Sequence, residues 1–499
     1  MKKILALVCA LALMLSVACV ASAESAKTDL VVLMNEDLIT FDPIGTSELT
    51  NMTILKLMYL RLYTRDENQQ PVQMLCEEYT KPSETEHLFK IYEGVLFEDG
   101  TEVTAEDVAY SLTRAANSTG FATFWKNVQS VEAVDTYTVK ITTEGAAPEI
   151  LTALSHACSC ILPKAYIEEA EATGDWSSPV CSAQYKLGER DVDITKIVKN
   201  ENYFDEATAA KNTSLTFRNV PETSSRTIMV QSGDADVNYS FSTAEYALVV
   251  DDPSVELFST PGTSVQYFGM VCDVAPFDNV LVRQACEYAI DRESALILAA
   301  EELGVVDYSV VPPNSLGYVE NPGNYEYNPE KAKELLAEAG YPDGFDCEIA
   351  VFNDKGQALA ECVQYDLKQV GINATIGRYE TSVRQSMFDS NQICCFCMSW
   401  GAEPDPELVY PRLFTKAAIG GYNYAHYSSD TVEELLQAAR STSVTEERAE
   451  LYAQVQEQIL ADAAWAPCFV GNTYVLAHAG LQGVQLDGEG MINLQDLTY

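Results

Sequence analysis

The chain has 499 residues, enough for more than one folding unit, and 47% of them are hydrophobic, enough for large cores. Its 74 acidic against 31 basic residues give a net charge of −43, which argues against a nucleic-acid partner, because phosphate contacts need a basic surface. The acidic residues are scattered, as suits solubility or a field that attracts cationic solutes.

Residues 1–23 read as a secretory signal: Lys2-Lys3, an apolar run from Ile4 to Leu15, and Ala21-Ser22-Ala23 as a small-residue cleavage site. A second cut before Cys19 would leave a lipid anchor, with Leu15 four residues ahead instead of the usual three. No other stretch approaches the ~20 apolar residues of a membrane span. An exported protein follows, tethered if Cys19 is lipidated.

In chain order, "DLVVLMNED" from Asp29 predicts a strand and "TNMTILKLMYLRLYT" an amphipathic helix. The stretch "VLFEDGTEVTAEDVAYSLTRA" (95–115) predicts strand, turn and helix. Asp99-Gly100 supplies the turn, Thr104 with Asp107 a capping box, and Val108, Leu112 and Ala115 an apolar stripe. "VQSVEAVDTYTVKITTE" alternates as a hairpin turning at 134–137. "PVCSAQYKLGE" through "DITKIVKNENYFD" gives further strands, and "SSRTIMVQSGDADV" a helix ending at Gly233.

Beyond Pro261-Gly262 the pattern changes. "SVQYFGMVCD" predicts a strand. "NVLVRQACEYAIDRESALILAAEELG" predicts a helical run with Val282, Ala285, Cys286, Ala289 and Ile290 on one face. "YNPEKAKELLAEAGYPDGF" predicts a helix capped by Asn328, opened by Pro329 and stopped by Gly340. "DCEIAVFND", "QALAECVQYDLKQVG" and "INATIGRY" then alternate strand, helix, strand, which predicts a mostly parallel sheet flanked by helices. "SDTVEELLQAARS", with Asp430 and Glu433 as a capping box, and "TEERAELYAQVQEQILAD" are further helices before strands return at Ala466.

Chemistry is sparse. There is no HExxH, GxSxG, Walker loop or GxGxxG, so the chain reads as a binding protein with no catalytic residues and no cofactor. Two of the 14 cysteines lie in the signal. For the other twelve, buried thiols, disulfides and a metal site stay open. Cys394 and Cys397 have metal-ligand spacing but no second pair, and the four histidines are dispersed, so no metal ligand is assigned.

The segment Phe97, Asp99, Gly100, Thr104, Ala105, Asp107, Val108, Tyr110 and Ser111 resembles the signature of the family 5 solute-binding proteins of ABC importers, the oligopeptide-, dipeptide- and nickel-binding type. "VRQACEYAIDRE", "VVPPNSLGY", "YNPEKAKELLAEAGYPDGF", "SWGAEPDPE" and the two closing helices are similar to further landmarks of that family, in the same order. The likeness runs from about Asp29 to Val484.

The resemblance implies an α/β, two-lobed periplasmic-binding-protein-like fold with a hinge. Lobe I would comprise 28–55, 181–262 and 468–499, with an inserted subdomain at 56–180, and lobe II would be 263–467. It implies a monomer in the periplasm or cell envelope that hands peptides to an ABC permease and its ATPase. A non-peptide solute (oligosaccharide, opine or metal chelate) and a sensor or chaperone role on the same fold stay open.

The family's ligand-pairing aspartate is replaced by Glu403, and Trp400, Glu403 and Asp405 stand in a shortened segment. Asp405 before Pro406 also suits a turn former. The family's "G-(T/S)-G-P-Y" becomes Cys181-Ser182-Ala183-Gln184-Tyr185, so Ser182 and Gln184 stand near the expected inter-lobe crossing. Tyr422, Tyr424 and Tyr427 are candidate lining residues, and each also suits a core. His426 is expected at the surface or behind the site.

Overall fold

A computed structural model describes residues 27–66, 69–401, 405–442, 444–487 and 490–499. The signal segment and Cys19 lie outside the described residues. No described helix is long and apolar enough to cross a membrane.

An eleven-stranded sheet runs through the molecule. Its order is Asn373–Arg378, Asp346–Val351, Cys395–Gly401, Val255–Met270, Trp465–His478, Val237–Asn238, Asp29–Met34, Ser214–Asn219, Ile194–Lys199 and Tyr185–Asp191, with Gly304–Val306 beside Trp465–His478. The sheet is mixed, a correction to the mostly parallel expectation. Asp346–Val351 is parallel to both of its neighbours, and so is Asp29–Met34. The central pair Val255–Met270 and Trp465–His478 is antiparallel, and 185–199 is a hairpin. Helical crossovers enforce parallel pairing, whereas hairpins and strands joined by long excursions do not.

The central pair slips register between Pro261 and Val265. Gly262 passes there so close to the facing strand that a Cβ would stand 2.7 Å from the Gly471 carbonyl oxygen. A separate four-stranded antiparallel sheet is built from 76–143. It includes the expected hairpin, Val128–Ala133 with Thr138–Thr143.

Local chemistry explains most elements. Thr104 and Asp107 form the expected capping box of helix Ala105–Ala116, and Val108, Leu112 and Ala115 are fully buried. The residues before it form only an isolated bridge, Leu96 with Glu102. Asn328 caps Pro329–Glu338 by accepting from the Lys331 amide at 3.0 Å.

Two helix readings are corrected. The run from 280 is two helices, Val280–Ala289 and Arg292–Ala300, because Ile290 turns extended and Asp291 caps a new start. The predicted apolar face is nevertheless buried. Helix Asp430–Arg440 is capped by Ser429, while Glu433 accepts from the Lys416 amide instead of closing a capping box.

The twelve described cysteines are free thiols, nine of them buried. No group of described side chains could hold a metal ion.

Candidate functional site

Strand Cys395–Gly401 pairs Trp400 with Val265, so the indole emerges beside the register slip of the central strands. After 402–404 the chain makes two short turns of helix, Pro406–Leu408 and Tyr410–Leu413, which bring Arg412 back towards Trp400. The Arg412 guanidinium lies 5.4 Å from the Trp400 ring centre and 4.7 Å from that of Tyr422. Trp400 and Tyr422 meet edge to face at 5.5 Å.

The cluster continues inward. Tyr422 meets Tyr424, which stacks on Phe388 at 4.6 Å. Arg384 covers Tyr424 at 5.1 Å and Phe352 at 5.9 Å. Two adjoining tyrosine rings thus run from a 46% exposed Tyr422 to a buried Tyr424, with a guanidinium at each end. A recess of about 400 Å³ opens beside them, lined by Pro411, Arg412, 417–421 and Tyr422.

Both arginines are half-buried, and among the described residues neither has an ion-pair or hydrogen-bond partner. Ring faces supply part of the lost hydration, worth roughly 0.5–2 kcal/mol each. They leave the N–H edges available to a carboxylate, which matches the planar fork bidentately.

Sequence reasoning singled out neither Arg384 nor Arg412. The available signal was scarcity: 31 basic residues serve 499, and these two fall within the segment rich in tyrosine that precedes Tyr427.

The other candidates go to different places. Glu403 lies outside the described residues. Asp405 is buried, accepts from the Glu407 amide at 3.0 Å and pairs with Arg448 at 2.6 Å, so it caps a turn. Tyr427 is buried and donates its hydroxyl to Asp462 at 2.7 Å; burial raises its pKa far above the ordinary phenol value. His426 faces Asp273 at 2.9 Å.

Ser182 is buried, and its hydroxyl accepts from the Leu60 amide at 3.0 Å. Gln184 lines a second cavity of about 800 Å³ with Arg61, Arg65 and Tyr203. Every residue lining that cavity lies before 240 or after 486, so it does not include the Trp400 cluster.

The model of the bacterial extracellular solute-binding proteins, family 5 (middle), matches residues 70–421. The glutathione-binding protein GsiB of Escherichia coli K12 is 28% identical over 484 residues, covering 94% of each chain. HbpA2 from Haemophilus parasuis superposes with a TM-score of 0.87 at 24% identity, over 94% of this chain and 99% of that one. The ABC transporter-associated periplasmic binding protein DppA from Helicobacter pylori, in complex with the peptide STSA, superposes at 0.73 with 24% identity, over 95% and 98%. The fold is therefore the two-lobed α/β fold of these proteins, and the chain is a binding protein, not an enzyme. By the reach of the family match, the chain belongs to the bacterial extracellular solute-binding proteins, family 5.

Proposed function

We propose that this chain is the exported binding component of an ABC importer and that its solute is a short peptide with a free carboxylate. The observation that carries the reading is the pair of ring-stacked guanidiniums, Arg384 and Arg412, without counter-charges among the described residues of a chain at −43. Leaving guanidiniums half-desolvated and unpaired is unfavourable, and a ligand carboxylate relieves it. The tyrosine and tryptophan faces suit peptide main chain and side chains. Glu403 would meet the α-ammonium from the same loop. Relatives support the class: GsiB is by name a glutathione-binding protein, and the Helicobacter DppA holds a peptide.

In this reading the lobes 28–55, 181–262, 468–499 and 263–467 close over the peptide, with 56–180 attached to the first. The register slip at 261–265 suits a hinge, because an irregular ladder bends at less expense than a regular one. The ligand favours closure only by its better fit to the closed form. The closed monomer then docks on the permease at the outer face of the membrane.

The test is thermal stabilisation of residues 24–499 by dipeptides, tripeptides and glutathione, with C-terminally amidated peptides, sugars and nickel chelates in parallel. Free-carboxylate peptides are expected to stabilise saturably, and amidation or Arg412→Gln to weaken them at least about tenfold. A response to sugars or chelates with none to peptides would overturn the reading.

A further inference from the structure

The 800 Å³ cavity contains a buried cation that has no carboxylate partner among the described residues. Arg61 is 4% exposed and lines it. Its Nη1 donates to the Lys56 carbonyl at 3.2 Å and its Nη2 reaches the Thr64 hydroxyl at 3.5 Å, both neutral acceptors. Its Nε has no partner. Among the described residues no carboxylate pairs with it.

Lys56 and Arg65 line the same cavity. Arg65 is oriented by Ser155, which accepts from its Nε at 2.9 Å, and by Gln69, which accepts from Nη1 at 3.3 Å. The field of the three cations is felt next door. Desolvation, then Lys56, Arg65 and Arg61, push the His156 imidazole well below its ordinary pKa.

Three acidic residues share the wall, and none of them forms an ion pair with Arg61. Asp496 pairs with Lys211 at 3.0 Å. Asp205 accepts from the Ala207 amide at 3.0 Å and the Thr208 hydroxyl at 2.7 Å. Asp487 accepts from the Met491 amide at 2.9 Å. Gln184 and Tyr203, joined at 3.4 Å, add neutral polar groups to the wall.

We infer that this cavity is a second ligand site, separate from the Trp400 cluster, and that it takes a small oxyanion, a polycarboxylate or a phosphate, on the buried guanidinium of Arg61. A buried charge without a counter-charge is strongly unfavourable, and an oxyanion in the cavity supplies one. A volume near 800 Å³ accommodates a small organic anion, in the range of ordinary ligand pockets. The walls come mainly from the segment 53–92, the Gln184–Thr208 stretch and the C-terminal residues 487–496, with Ser155 and Tyr239 added, so an occupant would pin distant parts of the chain together.

The test uses residues 24–499 with citrate and inorganic phosphate, each against sodium chloride of matched ionic strength, read by melting temperature and calorimetry. At least one anion is expected to bind saturably. Arg61→Gln is expected to weaken it at least about tenfold while leaving any peptide response unchanged. Citrate alone assigns a polycarboxylate and phosphate alone a phosphoryl ligand. Hydrogen exchange of the unmutated protein reads the same site without a variant: the bound anion must slow amides around 56–65. No saturable binding of either anion, equal binding by Arg61→Gln, or protection confined to other segments would overturn the inference.

Discussion

Arg448 and Asp405 form a buried ion pair, Nη2 to Oδ1 at 2.6 Å, with side chains only 6% and 7% exposed. The pair fixes the turn that follows Trp400, and Tyr452 adds a 3.0 Å contact to the same Nη2. Two charges out of water are stable only together. Arg448→Met leaves a buried carboxylate and is expected to destabilise the protein by about 3–5 kcal/mol in denaturant unfolding. A loss below about 1 kcal/mol would mean the pair is solvated in solution.

Glu407, two residues on, is wholly buried and pairs with Arg440 at 2.7 Å, while Lys126 reaches it at 3.5 Å from the segment 56–180. Lys126 is 36% exposed, so its share is screened. Lys126→Met is therefore expected to change stability by less than about 1 kcal/mol. Arg440→Met, which removes the closer partner, should cost several times more. Equal losses from the two variants would contradict this ordering.

Asp307 supplies a pH-dependent term. It is fully buried, and its Oδ1 accepts from the Ser309 amide at 3.0 Å and the Tyr318 hydroxyl at 3.1 Å. Burial outweighs these bonds and raises its pKa from 3.8 to about 7. Between those values the folded protein keeps a proton that the unfolded chain has released. Stability therefore falls as pH rises from about 4 to about 7 and then levels, with a ceiling of about 4 kcal/mol for this group. Burial also raises Asp366 to about 6, with the same sign. Asp307→Asn keeps the acceptor oxygen and removes the charge. The variant's stability relative to the parent is expected to improve from about pH 4 to about pH 7 and then to level in urea unfolding. A constant difference across that range would show that Asp307 does not titrate there.

Much of the fold was legible in the sequence because its signals are local. Thr104 with Asp107, and Asn328 with Pro329, cap helices through residues three positions apart or fewer, and the stripe from Val282 to Ile290 follows helical period. Ile290-Asp291 was missed because Asp291 is helix-compatible in isolation. Its capping role depends on the chain turning extended at Ile290, and Asp366 accepts its amide at 2.9 Å from 75 positions away. The sheet's mixed character was missed for a similar reason, since the pairing of Val255–Met270 with Trp465–His478 joins residues about two hundred apart. At the site, Trp400 and Tyr422 were legible by residue type. Arg384 and Arg412 were not, since what marks them is the lack of a carboxylate neighbour, a property of three-dimensional packing. Arg61 escaped for the same reason.

Gly344 and Gly100 separate two reasons for a glycine. Both have positive φ, +75° and +86°. Nothing stands within 4 Å of a Cβ built on Gly100, so Gly100→Ala carries only the backbone strain, about 1 kcal/mol. A Cβ on Gly344 would stand 1.8 Å from the carbonyl oxygen of Gly371, backbone that no rotamer change can move. That approach binds the loop after helix Pro329–Glu338 to the end of helix Asp354–Gln369, both packed on the parallel strands that lead to Trp400. Gly344→Ala is therefore expected to lose about 2–4 kcal/mol and to lower the melting temperature well beyond Gly100→Ala. Similar losses at the two positions would mean that the Gly344–Gly371 approach relaxes freely, and that only the φ angle requires glycine there.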